Sequence, residues 1–210
     1  MDEHEERATT GSTMSDSLFL SLWFPSFDEE DMMPRTAAVM RQFPYSTLEP
    51  GIAYIAVQPI DWSEPTILER RMTPAATPEE AVEVVSDLIH DDYAIVFEAY
   101  WDLWMPSDEG ENWIQKAVKA RFIAHGLAFD DGAYTEHGHV EVDFGLDYPF
   151  LFEGVELTAG NEEKVRANVA KLVEFTTNIE KNCKLTGRVL WSESDENLAQ
   201  KLISRLQRVQ

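Results

Sequence analysis

The chain predicts an α+β fold, a mixed or antiparallel sheet packed by about four helices. Two periodicities and one compositional fact carry that expectation. Some segments repeat their apolar positions every second residue, as a strand does, and others every three to four, as a helix does. Apolar residues make up 44% of the 210 positions, among them 6 Trp, 11 Phe and 6 Tyr, enough large rings to fill a real core.

Residues 17–25 (SLFLSLWFP) set Leu18, Leu20, Leu22 and Phe24 on one side, and Phe19, Ser21 and Trp23 on the other. Both sides are largely apolar, which predicts a central strand. A helix follows, with Asp31 as its cap and Pro34 in its first turn, and it ends before Pro44. Residues 51–60 and 66–72 read as strands, the second an edge strand because of its charges. Thr77-Pro78-Glu79-Glu80 starts a helix with a capping box, a proline in the first turn and an apolar stripe of Val82, Val85, Leu88 and Ile89. Residues 93–104 form a long strand. The order through residue 104 is therefore β-α-β-β-α-β, that of a ferredoxin-like sandwich.

The second half predicts strands at 116–129, 139–145 and 149–158. An amphipathic helix over 161–182 carries the stripe Val165, Val169, Leu172, Thr176 and Ile179. A short buried strand at 188–191 precedes a last helix capped by Ser192 or Ser194, with Leu198, Leu202, Ile203 and Leu206 facing inward. Residues 1–16 read as a disordered leader and 17–210 as a single α+β domain, with a subdivision near 105–115 left open.

The formal net charge is −22, from 39 acidic and 17 basic side chains. That charge argues against nucleic acid, where affinity rests on Lys and Arg, and against anionic membranes. Residues 91–160 hold 15 acidic and 3 basic side chains, a net of −12, whereas residues 181–210 carry a net of +3. The single cysteine, Cys183, excludes an internal disulfide and any thiol cluster. No apolar run is long enough to cross a bilayer and no secretory leader is visible, so a cytoplasmic protein is expected.

The sharpest local signal is Glu136-His137-Gly138-His139-Val140-Glu141-Val142-Asp143. On a strand, alternation would put His137, His139, Glu141 and Asp143 on one face. Such a set would hold zinc or another divalent metal and leave a position for water. The same pattern also describes a plain solvated strand face. His125 closes the preceding strand, a candidate third ligand or general base if the two strands pair. Trp101-Asp102-Leu103-Trp104 and Asp61-Trp62-Ser63-Glu64 combine rings with acids, and Trp62 is the one expected to be exposed. The chain has no phosphate-cradling glycine loop, GxSxG elbow, HExxH, CxxC or EF-hand loop.

The leading expectation is an acidic interaction module, inhibitor- or immunity-like, that binds a basic protein partner. Its contact residues would be Asp102, Trp104, Asp108, Glu109 and Glu111. The alternative is a metal-dependent hydrolase built on the His-x-His strand. A third expectation is a homo-oligomer joined through the first or last helix.

Overall fold

A computed structural model describes residues 16–107, 112–152, 157–193 and 198–207. The strands are β1 (Ser17–Trp23), β2 (Ile52–Pro59), β3 (Leu68–Ala76), β4 (Tyr93–Pro106), β5 (Trp113–His125), β6 (Val140–Leu146) and β7 (Gly187–Ser192). The helices are α1 (Glu29–Met40), α2 (Pro78–Val85), α3 (Tyr134–His137), α4 (Tyr148–Leu151), α5 (Ala159–Asn182) and α6 (Leu198–Leu206), of which α3 and α4 are single turns. All seven strands form one sheet in the order β3-β2-β4-β5-β6-β1-β7, and every pairing is antiparallel.

The chain order β-α-β-β-α-β is present through β4, but the pairing is not that of a ferredoxin-like sandwich. There the first strand would lie among the next three, whereas here β1 pairs with β6 on one side and β7 on the other. The central position expected for 17–25 holds, and the neighbours come from the C-terminal half. Hydrophobic alternation fixes which face a residue takes, and it leaves the choice of partner strand open. The end of the chain supplies β7 as an edge strand. Its core-side Leu190 is half-buried and Val189 is exposed, so it is less enclosed than the buried strand expected at 188–191.

One face of the sheet builds the core. Leu18, Leu20, Leu22, Ile55, Val57, Phe97, Trp101, Phe122 and Val142 pack in one cluster with Met32 and Met33 of α1, Val85 of α2, Phe150 of α4, Val169, Leu172 and Phe175 of α5, and Leu198 and Leu202 of α6. Burying a side chain of this size stabilises the fold by about 1.5–3 kcal/mol. At the centre Trp101 contacts Phe43, Phe144 and Phe150, with ring centroids 5.2, 5.3 and 5.6 Å away. The helix stripe read from 161–182 is buried throughout. The Thr77–Glu80 capping box forms as expected.

Three expectations need correction. Residues 149–152 are helical or left-handed rather than strand. Pro149 stands in the first turn of α4, where its fixed φ suits a helix start, and the turn drives Phe150 into the core. Residues 153–156 of that predicted strand lie outside the described residues. The cap of α1 is Asp28, whose carboxylate accepts from the backbone N–H groups of Glu30 and Asp31. In α6, Ile203 and Leu206 face solvent. The apolar face of α1 packs into this chain's own core. No described helix is long and apolar enough to cross a membrane.

Candidate binding site on the open face of the sheet

The five longer or core-packed helices lie on one face, and the other face stays largely open. It carries Phe19, Ser21 and Trp23 from β1, Arg121 and Ile123 from β5, Glu141 and Asp143 from β6, and Val189 and Trp191 from β7. Cross-strand register aligns them: Phe19 opposite Asp143, Ser21 opposite Glu141, Ile123 opposite Glu141 and Arg121 opposite Asp143. Phe19 stacks on Trp191 with centroids 4.6 Å apart. The segment after β5 returns over one end of this face. There Phe129 packs with Ala94 and Ile123, and Trp62 meets Phe129 edge-on at 5.1 Å.

Between these walls lies a hollow of about 250 Å³ lined by Phe19, Trp62, Arg121, Ile123, His125, His137, Glu141 and Asp143. A second hollow of about 280 Å³ adjoins it, lined by Ser21, Trp23, Glu136, His137, Val189 and Trp191. His137 belongs to both. Trp62 and Val189 are each 50% exposed, so large apolar surface rims both hollows.

The polar groups inside have settled roles. Arg121 Nε donates to Asp143 Oδ2 at 3.0 Å, and Asp143 Oδ1 accepts from the N–H of Gly145 at 2.7 Å. Both oxygens of Asp143 are thus occupied. Glu141 is 6% exposed, and burial pushes its carboxyl above the usual range, against the pull of His137. Its Oε2 lies 3.0 Å from His137 Nδ1. Among the described residues nothing hydrogen-bonds its Oε1. His125 is buried, and desolvation pushes its pKa down to about 4. Its Nδ1 lies 3.0 Å from the carbonyl oxygen of Gly138. A carbonyl only accepts, so Nδ1 carries the proton of the neutral ring and Nε2 is left as an acceptor.

The metal set expected from the sequence divides here. His137 ends α3, and β6 begins only at Val140. Gly138 between them has φ +89°, and a Cβ there would stand 2.6 Å from the backbone nitrogen of Leu22. Only glycine takes that conformation at that approach. The turn sends His139 away from the hollow. Its ring lies between Phe27 and Tyr134, each at 4.9 Å, and its Nδ1 accepts from the N–H of Phe24 at 2.9 Å. Glu141, Asp143 and His137 do share the open face. Among the described residues no group of three or more His, Cys, Asp or Glu side chains is arranged to hold a metal ion. The pairing that brings His125 near His137 is present: His125 N–H donates to the carbonyl of His139 at 2.9 Å, and the two rings stand 6.1 Å apart.

Of the expected partner-binding residues, Asp108, Glu109 and Glu111 lie outside the described residues. Asp102 works within the fold. Its carboxylate accepts from the Ser46 hydroxyl at 2.6 Å and from the Thr47 N–H at 3.0 Å. Burial opposes its charge, and the Ser46 and Thr47 donors outweigh that and lower its pKa. Trp104 is fastened through its backbone, which gives to and takes from the Asn168 side chain at 2.8 Å in each direction. Trp62 is exposed, as its loop sequence predicts, and it forms a wall of the hollow. The residues that sequence reasoning missed are Phe19, Ile123 and Trp191. The signal for Phe19 was present as the second, also apolar, side of residues 17–25; Ile123 and Trp191 join it only through strand pairing.

Compared with models of protein families, with curated proteins and with solved structures, the chain matches none.

Proposed function

We propose that this chain is an interaction module for a basic protein partner, in the manner of an inhibitor or immunity-type protein, and that it docks through the open face of its sheet. One observation carries the reading: a buried carboxyl, Glu141, lines a hollow walled by half-exposed Trp62, and Trp191 lines the hollow that adjoins it. Exposed aromatic rings beside a desolvated charge are the composition of a binding hot spot. The net charge of −22 supplies long-range attraction for a basic surface. The docking centre thus moves along the sheet, away from Asp102 and Trp104, which are committed to the fold, to the hollow around Glu141. The hydrolase alternative has less support, because His139 is held by Phe24, Phe27 and Tyr134.

The test is a titration with a lysine- and arginine-rich peptide. Any strongly acidic protein attracts such a peptide, so the variants decide. Trp62→Ala is expected to weaken binding about tenfold. Glu83→Gln, which removes one exposed charge on α2, is expected to change it by less than about twofold. Affinity should fall steeply between about 50 and 300 mM NaCl. Equal weakening by both variants, or salt-independent binding, would overturn the reading.

A further inference from the structure

Resting on that reading, we infer that the hollow between Trp62 and His137 receives a single cationic side chain of the partner, an ammonium or guanidinium group, held by Glu141 and His125. Four observations lead there. First, two acceptors that line the hollow have no hydrogen bond among the described residues: Oε1 of Glu141 and Nε2 of His125, on residues 6% and 2% exposed. Both open into the hollow rather than into the packed core, and a ligand with two or more N–H groups can offer a donor to each. An anion or a carbonyl satisfies neither.

Second, the hollow's own cation is already spent. Arg121 is bound to Asp143, and Asp143 is closed by Gly145. The charge left over is that of Glu141, so a positive group entering the hollow meets net negative charge. Third, the walls are π faces and edges. Trp62 meets His125 edge-on at 6.3 Å, and half of Trp62 is open to solvent. A cation beside such a ring gains quadrupole attraction, more so once water is excluded. Fourth, the size fits. A volume of about 250 Å³ suits the end of one long side chain rather than a folded segment. The adjoining hollow under Val189 and Trp191 suits a neighbouring apolar residue of the same partner.

The experiment uses small probes and the full chain. Butylammonium, propylguanidinium and butan-1-ol are titrated separately, and the Trp62 indole N–H signal is followed by NMR. Both cations are expected to shift that signal, with dissociation constants on the order of 1 mM, as befits ligands this small. Butan-1-ol, of the same length and neutral, should not. Glu141→Gln should weaken the cations at least tenfold, and His125→Phe, which removes the Nε2 acceptor, should weaken them independently. Equal response to the alcohol would mean a merely apolar hollow and overturn the inference. So would cation affinity that neither variant changes, or no shift with either cation. If the small cations fail while the basic peptide still discriminates Trp62→Ala from Glu83→Gln, only this inference falls and the docking face stands. If the peptide fails too, both fall.

Discussion

His137 Nδ1 stands 3.0 Å from Glu141 Oε2, a bond that joins the end of a single helical turn to the start of a strand across the hinge at Gly138. It places a partly exposed imidazole over a buried carboxyl and partitions the two hollows of the open face. The stability of the protein should carry the mark of the buried carboxyl.

Glu141→Gln should raise the unfolding midpoint at pH 8 and leave it unchanged below about pH 4. Burial raises this carboxyl in the fold above its ordinary value of 4.5. Its contribution is therefore fully present below 4.5 and is lost as pH rises through the folded value. His137, Asp143 and Arg121 face the carboxyl; the pull of His137 and Arg121 opposes the burial and Asp143, and the net shift is upward. Thermal unfolding across pH 4–8 measures the difference. A lower midpoint for the variant at pH 8 would show that the His137 bond outweighs the burial.

His125→Gln should flatten the acid side of the stability profile. The folded ring titrates at about 4 against 6.5 unfolded. Its contribution is present above 6.5 and is lost as pH falls through 4, amounting to about 3 kcal/mol. His139 is depressed by burial in the same direction and stays in the variant, which therefore keeps part of the acid slope. Denaturant titrations at pH 7, 5.5 and 4, each variant referred to its own pH 7 value, check this.

Asp102→Ala should cost about 1–2 kcal/mol, because the Ser46 hydroxyl and Thr47 N–H lose their acceptor. It should leave binding of the basic peptide unchanged within about twofold. Urea unfolding and the peptide titration, run on one preparation, separate the two roles.

Asn168→Leu should cost on the order of 3 kcal/mol. The Asn168 side chain satisfies both backbone groups of Trp104 and the carbonyl of Pro149, each at 2.8 Å. It is the polar tie between α5, β4 and α4. Equilibrium unfolding that shows less than about 1 kcal/mol would mean that water replaces it.

What the sequence made legible follows short-range rules. The Thr77–Glu80 cap, the apolar stripe of α5 and the two-sided apolar character of β1 depend on residues within a few positions of one another. Glu141 and Asp143 also fall on one face as alternation requires. Gly138 broke the same alternation one step earlier. A glycine between two histidines reads equally well as strand or hinge, and the choice is made by the approach of Leu22 from a distant strand. The Arg121–Asp143 bond and the stacking of Phe19 on Trp191 depend on which strands pair, and no local pattern carries that. Asn168 sits in a helix stripe that is mostly apolar, and its task is visible only once β4 and α4 lie beside it.

The most direct measurement is the set of indole N–H signals during titration with the lysine- and arginine-rich peptide. The chain has 6 Trp, and they sample distinct regions: Trp62, Trp23 and Trp191 on the open face, Trp101 in the core, Trp104 and Trp113 at the far end of the β4–β5 hairpin. The account predicts shifts at Trp62 and Trp191 that saturate together and fade with added salt, while Trp101, Trp104 and Trp113 hold still. Shifts confined to Trp104 and Trp113 would place the partner at the hairpin end and contradict it.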